Sequence, residues 1–287
     1  MKNYQNDEKL RGSFNKLATD IFGINFEEWY QKGFWNDRYI PYSYVDGDEV
    51  IANVSVNIID FVMDGQDKKA IQIGTVMTHP NYRNRGLSAS LMNKVLEEYE
   101  DQCDFIYLFA NQSVLDFYPK FGFHPVHEYQ FSLAYSSAQS DAAAIRKLDV
   151  SNPNDLDLIY KIASERIPVS NVFGTKNTQD LLMFYCLYVF KEHIYFIEEE
   201  EAIVIYEQEE QQVDIFDIVS KKGVSIDQIL AKITNADTTK IVFHFTPDYE
   251  GINMHTEIFN REGAFFVKLK EGDSFPSQIK HPITSEA

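Results

Sequence analysis

The chain has 287 residues, 44% hydrophobic and 14% aromatic, with a formal charge of −18. That length suits two domains of ordinary size, and that apolar content supports packed cores and argues against disorder. Such acidity argues against general nucleic-acid binding, which needs basic surface, and permits cationic ligands such as amines.

No apolar run approaches the ~20 residues of a membrane-spanning helix, so no membrane partner is expected. The first eight residues, Met1 to Glu8, contain no apolar signal region, and a cytoplasmic location is the expectation. The two cysteines, Cys103 and Cys186, fall in apolar segments, which fits buried thiols rather than a disulfide framework.

Leu10 to Trp35 reads as helical, in two pieces divided near Gly23. Phe14, Leu17, Ala18, Ile21 and Phe22 form one apolar stripe. Phe26, Trp29, Tyr30, Phe34 and Trp35 form an aromatic patch, which suits either a core or the wall of a cleft. Ile40 to Tyr44 and Val50 to Phe61 read as paired strands around the turn Asp46 to Glu49. A turn at Asp64 to Asp67 then leads into the strand Ile71 to Met77.

Pro80 and Asn81 end that strand, and Arg83-Asn84-Arg85-Gly86-Leu87-Ser88 feeds a segment with apolar residues at Leu87, Leu91, Met92, Val95, Leu96 and Tyr99. The spacing is that of an amphipathic helix. Its first turn holds the small residues Ser88, Ala89 and Ser90. A helix N-terminus offers unpaired N–H groups and the positive end of the dipole, so it favours anions. Gly86 allows close backbone approach, and Arg83 and Arg85 add positive charge.

Asp104 to Ala110 reads as the next strand, followed by Asn111, a predicted helix up to Tyr118, then Gly122 and Phe123. His124 to Leu133 reads as one further strand. His124 and His127 lack further ligand candidates, and no metal is expected.

The two stretches around Arg83 and Asn111 together resemble the GNAT acetyltransferases. The loop resembles that family's acyl-CoA pyrophosphate motif, which is Gln or Arg, two residues, Gly, one residue, then Gly or Ala. Ser88 departs from its last position. The second stretch matches the family's later motif at Asn111, Tyr118, Gly122 and Phe123. The resemblance covers roughly residues 45 to 133. It implies an α+β GNAT fold, a mixed and mostly antiparallel central sheet flanked by helices. No clear first strand precedes the first helix, which is a departure from the family pattern.

The resemblance also implies acetyl-CoA as co-substrate and a small-molecule amine, cationic in solution, as acceptor. Val76, Met77 and Thr78 would flank the pantetheine arm, with a backbone N–H near Met77 polarising the thioester carbonyl. Arg83, Asn84, Arg85, Gly86, Leu87, Ser88 and Ala89 would hold the pyrophosphate. Asn111 would contact the cofactor end of the cleft, and Tyr118 would protonate the departing thiolate. The fourth strand, Ile71 to Met77, carries no carboxylate to serve as general base. Water relayed by Gln72, Thr75 or backbone remains open as the base, as does a carboxylate from Glu27, Glu28 or the Asp46 to Glu49 turn. An acyl-CoA-sensing module without turnover and an enzyme acting on a protein partner are the alternatives.

Ala134 to Asp141 is small and polar, the expected linker. Beyond it a strand is expected from Ala144 to Leu148 and helices over Asn154 to Glu165 and Gln179 to Phe190. Strands are expected at Ile194 to Ile197, Ala202 to Tyr206 and Val213 to Val219. Ser220-Lys-Lys-Gly223-Val-Ser225, the helical run from Ile226 to Ile233, the strand Ile241 to Phe245, and Phe259 four residues before Gly263 repeat the order of the first half. A last strand is expected at Phe265 to Leu269. A second, degenerate GNAT-like unit is expected, lacking equivalents of Arg83 and the Tyr118 phenol. The expected division is 1–136, 142–273 and a loose tail, 274–287.

Overall fold

The computed structural model describes residues 1–136 and 145–287. Most of the linker expected after Ala134 therefore lies outside the described residues. Helix α1 (Glu8–Phe22) starts where the Asp7 carboxylate accepts from the Lys9 and Leu10 amides, and ends at Gly23, whose φ of 71° suits a residue without Cβ. Helix α2 (Glu27–Gln31) is a single short turn and a half carrying Trp29.

The strands of the first half are β1 (Tyr39–Asp46), β2 (Glu49–Met63), β3 (Gln66–Thr78), β4 (Phe105–Ala110), β5 (His124–Val126) and β6 (Tyr129–Ala134), with α3 (Leu87–Tyr99) between β3 and β4. The second half contains β7 (Ile145–Lys147), α4 (Pro153–Ser164), β8 (Phe173–Lys176), α5 (Gln179–Tyr188), β9 (Ile194–Ile197), β10 (Ala202–Glu209) and β11 (Gln212–Ser220). After these come α6 (Ile226–Ile233), β12 (Lys240–Phe243), β13 (His255–Ile258) and β14 (Ala264–Leu269).

Two mixed sheets of seven strands result, so the fold is α+β as the sequence implies. The first runs β1-β2-β3-β4-β14-β5, with β8 on the far end of β2; the second runs β13-β6-β12-β11-β10-β9-β7. Each contains one β-α-β crossover joining parallel strands, β3-α3-β4 in the first and β11-α6-β12 in the second. The remaining pairings are antiparallel. The repeated order supports reading the halves as tandem units.

The sheets exchange strands. The single strand expected over His124 to Leu133 is two strands in different sheets, with β5 on β14 and β6 between β12 and β13. The chain changes sheets at Glu128, whose side chain is 1% exposed and bonds to Arg261 and Lys280. β14, late in the sequence, inserts between β4 and β5. A cut near residue 136 therefore separates the halves along the chain but not the sheets in space.

One core belongs to both halves. Phe14, Trp29, Phe34 and Trp35 pack with Leu182, Met183, Ile203 and Val219. The aromatic patch is thus chiefly core. The expected loose tail is packed instead: Ile279, Lys280, His281, Thr284 and Ser285 are all buried. Its polar groups find partners inside, with Thr284 donating to Asp217 and Thr246 bonding the Lys280 backbone. Pairing of this kind removes the usual penalty for burying polar groups.

Candidate active site

Strands β3 and β4 pair only between Ala70–Ile73 and Phe105–Leu108. Beyond Ile73 the ladder with β2 also shifts register, with Ser55 opposite Gly74 but Asn53 opposite Met77. The extra residue makes a bulge, where Thr75 sits at φ 48°. Asn53 Nδ2 donates to the Thr75 carbonyl at 2.9 Å, and the Tyr39 and Thr75 hydroxyls lie 2.8 Å apart. The bulge is thus fixed from both sides, and the two parallel strands part. A cavity of ≈ 540 Å³ opens between them, bounded by Gly74 to Thr78 on one strand and by Phe109, Asn111 and Tyr118 on the other side.

The Arg83–Ser88 loop closes one end. Asn84 and Gly86 have φ of 61° and 73°, so the backbone turns sharply into α3. Nothing lies within 4 Å of where a Gly86 Cβ would stand, so the glycine serves the turn rather than a tight packing contact. No side chain caps α3, and Ser90 N, bonded to Gly86 O, is the first helical donor. The amides of Leu87, Ser88 and Ala89 are left for an anion.

Ser88, the departure from the family motif, places its hydroxyl 2.7 Å from that of Thr78 and so ties the loop to the end of β3. Arg83 lines the cavity and donates from Nε to the Thr78 carbonyl at 3.3 Å. Arg85 lies over the Tyr82 ring at 4.9 Å and bonds Asn81, outside the cavity wall.

Tyr118 is 5% exposed and packs on Phe117, Phe123 and Phe266. Burial pushes its phenol up to about 12, so it holds its proton. Among the described residues its hydroxyl has no hydrogen-bond partner. The helix expected between Asn111 and Tyr118 is two short 3₁₀ turns, Gln112–Val114 and Tyr118–Phe121. Asn111 caps neither with its side chain, and Pro119 brings no N–H to extend an α-helix.

A second cavity of ≈ 200 Å³ adjoins the first, and Phe22, Thr75 and Ala287 line both. Its walls include Phe26, Trp29 and Tyr39 from the first half, and Phe184 and Tyr185 from α5. The contributions of α5 and of residues 286–287 were not signalled by any motif. The one available clue was that α5 is apolar on every side, as befits a helix covered on both faces.

The carboxylates open as general base point elsewhere. Glu27 binds Arg11 at 2.9 Å, which holds its carboxyl below the usual range, and also takes Asn15. Asp46 accepts from Tyr82 at 2.7 Å and Asp48 pairs with Lys9 at 2.9 Å. None of these, nor Glu28 or Glu49, lines either cavity. Thr75 stands at the junction of the cavities, whereas Gln72 lines neither and touches the site only through Ala287, whose backbone oxygen accepts from its Nε2 at 3.0 Å. His124 and His127 are exposed, and the described residues contain no cluster of three or more His, Cys, Asp or Glu able to hold a metal. No helix of the described residues is long and apolar enough to cross a membrane.

A family model, the acetyltransferase (GNAT) domain, matches residues 8–126. No curated protein matches the chain by sequence. Among solved structures, a conserved protein from Enterococcus faecalis V583 described as a probable N-acyltransferase superposes with a TM-score of 0.61 at 14% identity. The alignment covers 91% of this chain and 70% of that one. A GCN5-related N-acetyltransferase from Kribbella flavida gives a TM-score of 0.55 at 18% identity, over 92% of this chain and 68% of that one. Eis1 from Mycobacterium abscessus gives 0.57 at 12% identity, over 92% and 72%. At these identities the likeness is one of fold, and it extends over both halves. Residues 8–126 therefore resemble a GNAT acetyltransferase domain, within a two-sheet fold shared along nearly the whole chain with these structures.

Proposed function

We propose that the protein transfers an acetyl group from acetyl-CoA to the nitrogen of a small primary amine that is cationic in solution. The observation that carries this reading is the unpartnered hydroxyl of Tyr118, held at the edge of the cleft where β3 and β4 part.

The residues fit acetyl-CoA in three respects. The free amides of Leu87, Ser88 and Ala89, with Arg83 beside them, suit the pyrophosphate. The unpaired edge of β3 from Gly74 to Thr78 suits an extended arm with amide groups. A backbone N–H at Val76 or Met77, both of which line the cavity, would polarise the thioester carbonyl.

In the reaction the amine, first relieved of a proton, attacks the thioester carbon. The C–S bond breaks as the C–N bond forms. Tyr118 gives its proton to the departing sulfur and recovers one from the nitrogen through solvent. Burial keeps Tyr118 protonated until charge builds on sulfur. The negative charge of the chain favours the approach of an ammonium ion.

The test is CoA release measured with a panel of free amines, beside calorimetric acetyl-CoA binding. Turnover of small amines supports the proposal. Binding without turnover of any amine assigns a sensor role instead, and acetylation of polypeptides alone assigns a protein substrate.

A further inference from the structure

We propose that the second half completes the acceptor pocket through α5, and that this pocket selects an amine bearing a single aromatic ring on a short arm. The inference rests on the acetyltransferase reading above, and it gives the second half a role in choosing the substrate.

The smaller cavity is walled by rings. Phe26 stacks on both Tyr39 and Phe184, each at 5.4 Å between centroids and within 30° of parallel. Trp29 meets Phe184 edge-on at 6.1 Å. Offset and edge-on geometries are those in which aromatic rings attract one another, and a ligand ring entering such a box meets the same geometry.

The wall is built in advance. Trp29 Nε1 donates to the Asp180 carbonyl at 2.7 Å, Trp29 N donates to the Tyr188 hydroxyl at 3.1 Å, and Asn36 donates to the Asp180 carboxylate at 2.7 Å. These bonds lock α5 of the second half onto α2 and the following turn of the first. Phe184 therefore does not need to be ordered by the ligand, which lowers the cost of binding.

Size and polarity set the class. At ≈ 200 Å³ the cavity is smaller than the ~300 Å³ lower end of drug-sized sites, and it takes one ring and a short arm. Its polar edge, at Thr75 and Ala287, is the edge shared with the acetyl-CoA cleft, so an amine there faces the thioester while its ring lies among Phe26, Trp29 and Phe184. Among the described residues, the one carboxylate side chain lining the box is that of Glu286, held by Arg261 at 2.9 Å. A space of ≈ 200 Å³ has no room for the long chain of a polyamine, which disfavours polyamines.

The test compares phenethylamine and benzylamine with butylamine, putrescine and spermidine in the CoA-release assay on the full chain. Phenethylamine binding is followed in parallel by tryptophan fluorescence, since Trp29 lines the box. The expected results are a kcat/KM at least about tenfold higher for the ring-bearing amines, and a fluorescence change on phenethylamine binding. In Phe184→Ala, and in the milder Phe184→Leu, the preference over butylamine should shrink, with thermal melts confirming folded protein. Equal use of all monoamines, or preference for polyamines, overturns the pocket assignment and leaves the acetyltransferase reading intact. Absence of phenethylamine binding to the wild-type chain also overturns it. Phenethylamine binding that Phe184→Ala weakens, with no amine turned over, upholds the pocket and overturns the catalytic reading alone.

Discussion

Gln72 Nε2 donates to the backbone oxygen of Ala287 at 3.0 Å across 215 residues of sequence. Gln72 is buried on the central strand of the first sheet, and its Oε1 accepts from Tyr107, whose hydroxyl also lies 3.1 Å from His281 Nε2. The end of the second half is thus tied into the sheet that carries the larger cavity. What fixes this segment also shapes the junction of the two cavities.

Arg261 is the main clamp. It bonds Glu128 at 2.7 Å and Glu286 at 2.9 Å and covers the Phe109 ring at 4.2 Å. Burial, helped by the Glu128 charge, lifts the Glu286 carboxyl above its usual range, and Arg261 opposes that rise. Removing the guanidinium leaves Glu128 with only Lys280 and the His281 amide, and leaves Glu286 unpaired. Breaking a buried pair from one side typically costs about 3–5 kcal/mol. Arg261→Ala is expected to lose stability of that order in urea unfolding and to raise the acceptor KM. A loss under about 1 kcal/mol would show that water replaces the pair at little cost.

The same segment predicts a pH dependence. Burial pushes the His281 imidazole down from 6.5 to about 3. The folded state therefore resists a proton that the unfolded chain accepts, so the contribution to stability is full above pH 6.5 and falls as the pH drops toward 3. The slope from this one group approaches about 1.4 kcal/mol per pH unit within that window. Comparing His281→Gln with the wild type by denaturation at several pH values should show a flatter acid limb in the variant. Parallel limbs would mean that His281 titrates alike in both states.

Gly86→Asp should weaken acetyl-CoA affinity strongly while the chain stays folded. The position is exposed and an added Cβ meets no protein atom within 4 Å, so the cost to the fold is the local strain of a side chain at φ 73°. It does set a negative charge at the site read as the pyrophosphate cradle. A loss of about tenfold or more in calorimetric affinity is expected. Unchanged affinity in a folded variant would falsify the loop assignment.

One chain should bind one CoA. In the second sheet β11 runs on past its pairing with β12, as β3 does past β4, but the chain narrows the space there to a cavity of ≈ 160 Å³ lined by Ile167, Ile218, Ser220 and Gly223, against ≈ 540 Å³ in the first sheet. Ile167 N donates to the Ser220 carbonyl at 3.0 Å, and Arg166 clamps Asp217 with two bonds, at 2.8 and 2.6 Å. Thr284 adds a third bond to Asp217, and Ile283 N donates to His244 O at 3.1 Å. Titration giving two equivalent sites would contradict this division between the halves.

Local chemistry was legible in the sequence where local rules decide. The break of the first helix at Gly23 follows from its left-handed cap, and the start of α3 at Leu87 follows from Gly86 and the apolar spacing. The bounds of α4 and the run of β9 were equally readable. Partner choice was not. An apolar alternating run announces a strand but not its neighbour, so neither the insertion of β14 beside β4 nor the transfer of β6 to the second sheet had a local sign.

The segment around Lys280 and His281 read as loose because its charged and polar residues suggest solvent. Its burial depends on Glu128 and Tyr107, far away in sequence, which supply the missing bonds. For the site, the loop and Tyr118 were visible because contiguous motifs carry them. Phe184 and Ala287 were not, since only the folded chain brings them to Thr75.

The most direct measurement of the central claim is kcat for Tyr118→Phe against the wild type, with an active amine under conditions where chemistry limits the rate, together with calorimetric acetyl-CoA affinity. The phenol ring packs on Phe123 and Phe266 and Phe preserves that packing, so only the hydroxyl is lost. The proton is needed as charge builds on sulfur, so the loss belongs to the chemical step. The account predicts a kcat lower by about a hundredfold or more, with acetyl-CoA affinity nearly unchanged. A variant that keeps the wild-type kcat would contradict it and leave Tyr118 as a packing residue.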